Sequence, residues 1–251
     1  MPTAIISDIH GNLDALRVVM DDIGRRGIEQ IFCLGDIVGY GPNPRECLDL
    51  VDDRCEWSLM GNHDFAVLFE PTSFNASAAA SVFWTRGQLE QEEDDEKRRQ
   101  RWKFIGELKI REKFGEALCV HASPRRPINE YIFPDDVITS PSKLVAIFER
   151  IEQSAYVGHT HVTGVFTDEP EFYPPADLNG VYTINKFEKC VINPGSVGQP
   201  RDRDPRASYA IVDEDRVEFV RLEYDIDAVI EKVRSTPEIN DFLGMRLLEG
   251  R

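Results

Sequence analysis

The 251-residue sequence predicts an α/β fold organised around a largely parallel sheet, and three observations predict it. Five short, apolar, β-prone runs each break off at Asp, Asn or His. The first three of them alternate with helix-patterned stretches in the order βαβαβ, which calls for parallel strands joined by right-handed crossovers. All five histidines of the chain sit at the tips of these runs, and in open α/β sheets ligands bind just outside the carboxyl ends of the strands.

The first run, Thr3-Ala4-Ile5-Ile6, ends in Ser7-Asp8-Ile9-His10-Gly11-Asn12. Asn12 is a helix cap for a stretch over about 13–25, with Leu16, Val19, Met20 and Ile23 at core spacing and Gly27 as its stop. Gln30-Ile31-Phe32-Cys33-Leu34 is the second strand and ends at Gly35-Asp36. A turn-rich loop from Gly39 leads to Asn43 and Pro44, the cap and first position of a short helix carrying Cys47, Leu48 and Val51. Trp57-Ser58-Leu59-Met60 runs into Gly61-Asn62-His63-Asp64.

Residues 75–89 have helical content. The charged run 90–101 places Glu93/Lys97, Asp94/Arg98 and Asp95/Arg99 at i,i+4, as a solvated helix face would. Ala117-Leu118-Cys119-Val120 ends at His121, and Ser140-Pro141 opens a helix with Leu144, Val145, Ile147, Phe148 and Ile151 inward. The fifth strand, Ala155-Tyr156-Val157, ends at Gly158-His159-Thr160-His161. Four β-rich runs between 180 and 222 point to a second, more antiparallel sheet, and a helical tail from about 225 to 251 loses periodicity near Pro237. No linker divides the chain, so one domain over 1–251 is expected.

Composition bounds what such a site can do. At 41% hydrophobic and 29% charged residues, with no apolar run near the roughly 18 residues of a membrane span, the chain reads as soluble and globular. Nothing before Thr3 resembles a signal peptide, so a cytoplasmic location is expected. Cys33, Cys47, Cys55, Cys119 and Cys190 lack C-x-x-C spacing and read as reduced core residues. The net charge of −16 opposes bulk nucleic-acid or anionic-membrane binding. Charge inside a site that holds cations is a separate matter, and a phosphate-handling pocket is compatible with it.

Asp8, His10, Asp36, Asn62, His121, His159 and His161 are seven candidate metal ligands at five strand tips. Seven exceed one tetrahedral ion and suit two ions sharing a carboxylate. The mixed nitrogen and oxygen set, without thiolate, favours manganese, iron, nickel or zinc.

In their order, Asp-x-His, Gly-Asp, Gly-Asn-His-Asp, a lone His and Gly-His-x-His make the chain resemble the calcineurin-like metallophosphoesterases. The resemblance implies a four-layer α/β/β/α sandwich with a dinuclear site at one rim. Asp8, His10, Asp36 and His161 would hold one ion, and Asp36, Asn62, His121 and His159 the other. A hydroxide between the ions would be the nucleophile. His63 would be the general acid or a phosphate contact, with Asp64 orienting it or serving as a backbone cap. Asn12, beyond its capping role, would approach phosphate.

Arg125 and Arg126 after His121, and Arg201 after Asn193-Pro194-Gly195-Ser196-Val197-Gly198, are rim arginines suited to phosphate, and Tyr40 and Tyr131 offer faces for a base. Phosphoprotein phosphatases continue Gly-Asp as Gly-Asp-x-x-Asp-Arg-Gly, whereas Gly39 and Tyr40 stand here. That departure turns the expectation from Ser/Thr phosphatase or phosphomonoesterase, the alternatives, towards the compact bacterial phosphodiesterases and dinucleoside-polyphosphate hydrolases. The expected partner is a small phosphorylated substrate, a nucleotide. A non-catalytic scaffold of the same fold is the rival from another class, and the intact ligand set and His63 oppose it.

Overall fold

The alternating first sixty residues become β1 (Thr3–Ile6), α1 (Leu13–Arg25), β2 (Gln30–Cys33), α2 (Pro44–Arg54) and β3 (Trp57–Ser58) in the computed structural model, which describes residues 1–251. The three strands are parallel neighbours, with Thr3 opposite Gln30 and Phe32 opposite Trp57. Asn12 caps α1 by accepting the Ala15 N–H at 3.1 Å, and Leu13, Leu16, Val19, Met20 and Ile23 form the buried stripe of that helix.

Next come α3 (Asn62–Leu68), α4 (Ala76–Glu90) and α5 (Asp95–Glu107), then the hairpin β4 (Arg111–Phe114) and β5 (Ala117–Val120). The charged run is thus not one helix. α4 stops at Glu90, and Asp94 caps α5 through the Glu96 and Lys97 N–H groups. The expected i,i+4 pairs give way to Asp95–Arg98 and Glu96–Arg99 at i,i+3. Arg101, read as part of a solvated face, is buried instead, and its guanidinium grips both Asp49 oxygens of α2 at 2.7 Å.

After α6 (Asp136–Thr139) and α7 (Pro141–Phe148) come β6 (Ser154–Tyr156), β7 (Gly164–Thr167), β8 (Glu171–Tyr173), β9 (Val181–Thr183), β10 (Cys190–Asn193), β11 (Ala207–Asp213) and β12 (Arg216–Leu222). Of the inward set on α7, Val145 alone faces solvent. The tail consists of α8 (Ile226–Arg234), α9 (Phe242–Met245) and a 3-10 turn over Arg246–Glu249.

Two six-stranded sheets result, ordered β3-β2-β1-β11-β12-β9 and β4-β5-β6-β10-β7-β8. The four runs between 180 and 222 do not make a separate sheet. β9, β11 and β12 extend the first sheet with antiparallel pairing, and β10 enters the second, parallel to β6 and antiparallel to β7.

The strand period of two sorts side chains into three layers of core. Ala4, Ile6, Tyr209 and Ile211 face α1, α2, α4 and α5. Ile5, Phe32, Tyr156, Ile192, Ala210 and Val212 fill the space between the sheets, and Ala155, Val157 and Val191 meet α7. This is the α/β/β/α sandwich, and burial on both faces explains why its central strands read as continuous apolar runs. No cysteine is paired; four are buried and Cys55 is half-buried. No helix is long and apolar enough to cross a membrane.

Candidate metal centre

The carboxyl ends of β1, β2, β5 and β6, with the loop after β3, meet at one rim and carry the seven predicted ligands there. Donor atoms of Asp8, His10, Asp36 and His161 lie within 4.8 Å of one another, and so do those of Asp36, His121 and His159. Asp36 is common to both groups: its Oδ2 is 3.6 Å from His10 Nε2 and 3.4 Å from His121 Nε2, while its Oδ1 accepts the His63 N–H at 2.8 Å. Asn62 Oδ1 lies 3.3 Å from His121 Nε2, on the second group's side.

Reaching these positions distorts the backbone. Of the ten non-glycine residues with positive φ, six are Asp8, His10, Asp36, Tyr40, His159 and His161. Left-handed backbone at bulky residues costs on the order of 1–3 kcal/mol each and persists where surrounding structure enforces it.

The donor chemistry fits cations. Nδ1 of His10, His121 and His161 faces the carbonyl oxygens of Val38, Leu34 and Gln199 at 3.2, 2.9 and 2.6 Å. An N–H donated there leaves Nε2 as a lone-pair donor, the arrangement of metal-binding histidines. His10 Nε2 and His161 Nε2 then point at each other across 3.1 Å, and His159 Nε2 is buried with no partner. A cation between these lone pairs would relieve both conditions.

Charges in the cluster interact strongly. Burial opposes ionisation of Asp36, but His121 and His63 hold its carboxyl well below the usual range. Burial opposes the charged form of His121 too, yet Asp36 and Asp8 raise it to about 9. Burial drives His63 down to about 4, and burial with the charge of His121 drives His159 down to about 3.

His63 lines a cleft of about 530 Å³ together with Tyr40, Asn62, Phe65, Phe74, Arg126, Ile128 and Tyr131. Packing holds its ring, with Tyr40, Phe74 and His10 centroids at 4.4, 4.7 and 4.8 Å. Gly39 has φ +88°, and a Cβ there would stand 2.2 Å from His63 Nδ1, so glycine is required where the phosphoprotein phosphatases have a carboxylate.

Several of the expected site residues have structural partners. The Asp64 carboxylate makes no hydrogen bond to the His63 ring, whose Nδ1 has no partner. Asp64 is buried, and its oxygens accept the N–H groups of Asp36, Gly61, Ile37 and Val38 at 2.8, 3.0, 3.0 and 3.3 Å, clamping the Gly35–Val38 loop to the start of α3. Asn12 is buried with its oxygen on the Ala15 N–H and its amide donating to Gly198 O, which makes it a brace. Arg125 is paired with Glu130, which also accepts from Ser123. Tyr131 stacks on His159 and Phe133, at 3.9 and 5.1 Å between centroids. Tyr40 lies beneath two arginines and packs against the tail, so neither tyrosine offers a free base platform.

Sequence reasoning missed Arg246, whose guanidinium stands 5.3 Å from the Tyr40 ring, opposite no motif that would reveal it. Burial and the charge of Arg201 lower it to about 10. Ser196, already inside a motif loop, donates to Asp8 O at 2.7 Å.

The family profile described as the calcineurin-like phosphoesterase superfamily domain matches residues 1–216. An uncharacterised protein of Methanocaldococcus jannaschii is 40% identical, with 99% of this chain and 98% of that protein covered. The crystal structure of a metallophosphoesterase from Sphaerobacter thermophilus matches at 37% identity and a TM-score of 0.84, covering 100% of this chain and 99% of that one. A hypothetical protein of Pyrococcus horikoshii shares the fold at 21% identity and a TM-score of 0.75, with coverage of 100% and 98%.

Proposed function

As the chain belongs to the calcineurin-like phosphoesterase superfamily and is therefore a metal-dependent hydrolase, we propose that it cleaves phosphodiester or phosphoanhydride bonds of small nucleotides at a site for two divalent transition-metal ions. The observation that carries the two-ion reading is Asp36 Oδ2, within 3.6 Å of an imidazole nitrogen from each donor group. Asp8, His10, Asp36 and His161 would hold one ion, and Asp36, Asn62, His121 and His159 the other; the donor set fits manganese, iron, nickel or zinc. Bound there, the ions would supply Lewis acidity, activating water and neutralising phosphate charge.

The chain's own residues account for the rest. Two carboxylates with otherwise neutral ligands leave about +2 on a two-ion centre, which attracts an anion despite the acidic surface. His63, held by rings rather than by a carboxylate and lowered by burial, would take up a proton beside the negative charge of a bound phosphate and give it to the leaving oxygen. The apolar wall of Phe65, Phe74 and Ile128 beside it suits a nucleobase, and Arg126 at the same cleft suits an outer phosphate. Tyr131, stacked on His159, would shield the ligand ring from water. Gly39 and Tyr40 leave no second carboxylate or bidentate arginine at the position used by phosphoprotein phosphatases, which argues against phosphoserine or phosphothreonine substrates.

The test compares kcat/KM for a dinucleoside tetraphosphate, an aryl phosphodiester and a phosphopeptide under one metal condition. Preference for either of the first two is expected, and a clear advantage for the phosphopeptide would overturn the substrate reading.

A further inference from the structure

The tail lies beyond the residues matched by the family profile, yet it packs against Tyr40, which lines the cleft. Val229, Val233, Leu243 and Leu247 form a small core of their own, against which Tyr40 packs. Lys232 donates to both oxygens of Asp14 at 2.8 and 2.6 Å, tying α8 to α1. The Arg203 N–H donates to Gly250 O at 3.0 Å, which ties the end of the tail to the loop carrying Arg201. The Arg201 N–H in turn donates to His161 O at 3.1 Å. Arg246 is therefore fixed to the same frame as a candidate metal ligand.

Arg201 and Arg246 place their guanidinium carbons 5.9 and 5.3 Å from the centroid of Tyr40, whose ring is 4.7 and 4.4 Å from those of His10 and His63. Arg201 pairs with no carboxylate: it donates to Gln199 Oε1 at 3.0 Å, and its Nε is buried and unpartnered, while Arg246 Nε donates to the main-chain oxygen of Arg251, the last residue, at 2.8 Å. Arg101, Arg125 and Arg221 are tied to carboxylates, and the partly buried Arg86 is satisfied by the carbonyl oxygens of Ala66, Val67 and Phe69. In a chain with 45 acidic residues, a partly buried Arg201 guanidinium that has no carboxylate and stands beside that of Arg246 is costly unless a ligand brings further negative charge.

We propose that Arg246 and Arg201 form a subsite for a second phosphate of the substrate, making the C-terminal tail the part of the chain that selects nucleotides with a phosphoanhydride chain over isolated phosphodiesters. The inference rests on the nucleotide reading above and deepens it. One phosphate is provided for by the metal donors and His63. The two arginines lie about one ring's width away, where a neighbouring phosphate of the same chain would extend, and their planar forks match its oxygens.

The test is calorimetric titration of manganese-loaded protein, with manganese in fixed excess, using a nucleoside diphosphate (ADP, as its uncleavable methylene analogue) and the monophosphate (AMP). Wild type should bind ADP about tenfold tighter or better, the size expected of charge-assisted hydrogen bonds. Arg246→Gln should bring the ratio near one with AMP affinity within about twofold, and Arg246→Lys should restore part of the preference. A wild-type ratio of one, or equal weakening of both nucleotides in Arg246→Gln, would overturn the subsite. Should Arg246→Gln fail to fold in urea titrations, Arg201→Gln carries the same ratio test. Failure of the wild type to hydrolyse diesters or anhydrides would refute the proposed function separately, since the binding ratio decides the subsite without turnover.

Discussion

Replacing Asp64 by Asn separates a positioning role from an acid-orienting one. Oδ2 accepts from Asp36 and Gly61, and Oδ1 from Ile37 and Val38. An amide keeps one oxygen and turns an NH2 towards two N–H donors, so two charge-assisted hydrogen bonds are lost whichever way it is flipped. At about 1.5–3 kcal/mol each, the loss is about 3–6 kcal/mol, a large part of the roughly 5–15 kcal/mol that stabilises a domain. Burial and the charge of Asp36 push the Asp64 carboxyl up to about 7, against which four N–H donors favour the ionised form. The substitution also weighs these against each other, because a carboxyl already carrying a proton would be replaced by Asn at little cost. Urea denaturation at constant slope gives the stability, elemental analysis the metal content, and turnover of good and poor leaving groups the catalytic role. The expected outcome is a variant destabilised by several kcal/mol and depleted of metal, whose residual turnover depends on the leaving group as in wild type. Unchanged stability with a selective loss on poor leaving groups would refute the clamp and return Asp64 to His63.

Asp36→Asn should weaken both metal sites together, and elemental analysis showing the loss of only one ion would remove the bridging role. His63→Ala should keep its fold and metal while losing about 10²–10⁴-fold in turnover, less with nitrophenolate leaving groups; equal losses would reduce His63 to a phosphate contact. In Gly39→Ala the new methyl must displace the His63 ring, so turnover should fall towards that of His63→Ala while metal content stays at the wild-type level. Arg125→Gln should leave KM unchanged and lower stability, since Arg125 serves Glu130. Although burial raises the Glu130 carboxyl, Arg125 and Ser123 bring it below 4.5, so their support is present above pH 4.5 and is lost as pH falls through the folded value; a flat difference between variant and wild-type stability across that range would argue against the clip.

The seven candidate ligands were legible because each is written locally, as an apolar run stopped by a ligand residue, and strand ends are where such a fold gathers side chains. What was hidden depends on long-range pairing. Cys190-Val191-Ile192 is apolar on both faces, and nothing in its period says whether it joins β1 or β6. Arg101 sits in a charged run that reads as solvated, and its partner Asp49 lies on another helix. Asp64 invited a catalytic reading because it follows His63, whereas the first-turn geometry of α3 aims its carboxylate at backbone. Arg246 has no motif at all, and only the packing of α8 and α9 on Tyr40 brings it beside that ring.

The strained tips raise the question of what holds them, and the answer lies in the backbone beyond the sheets. Asp8 N–H donates to Gly35 O, His10 N–H to Asp36 O and Gly11 N–H to Ile37 O, all at 2.9 Å, so the first two tips continue pairing after their strands have ended. Gly158 N–H donates to His121 O at 2.7 Å, while the Val197 and Gly198 N–H groups return to Ser7 O and Asp8 O at 2.9 and 3.0 Å. The close approach this needs appears at Gly61, where a Cβ would stand 2.0 Å from Asp36 Oδ1. The left-handed backbone at Asp8, His10, Asp36, His159 and His161 is thus framed by hydrogen bonds between neighbouring tips, which makes the rim one mechanical unit. Arg201 joins it through His161 O, and the tail joins through Gly250, so the two arginines beside Tyr40 are registered to the metal donors by the network that stores the strain.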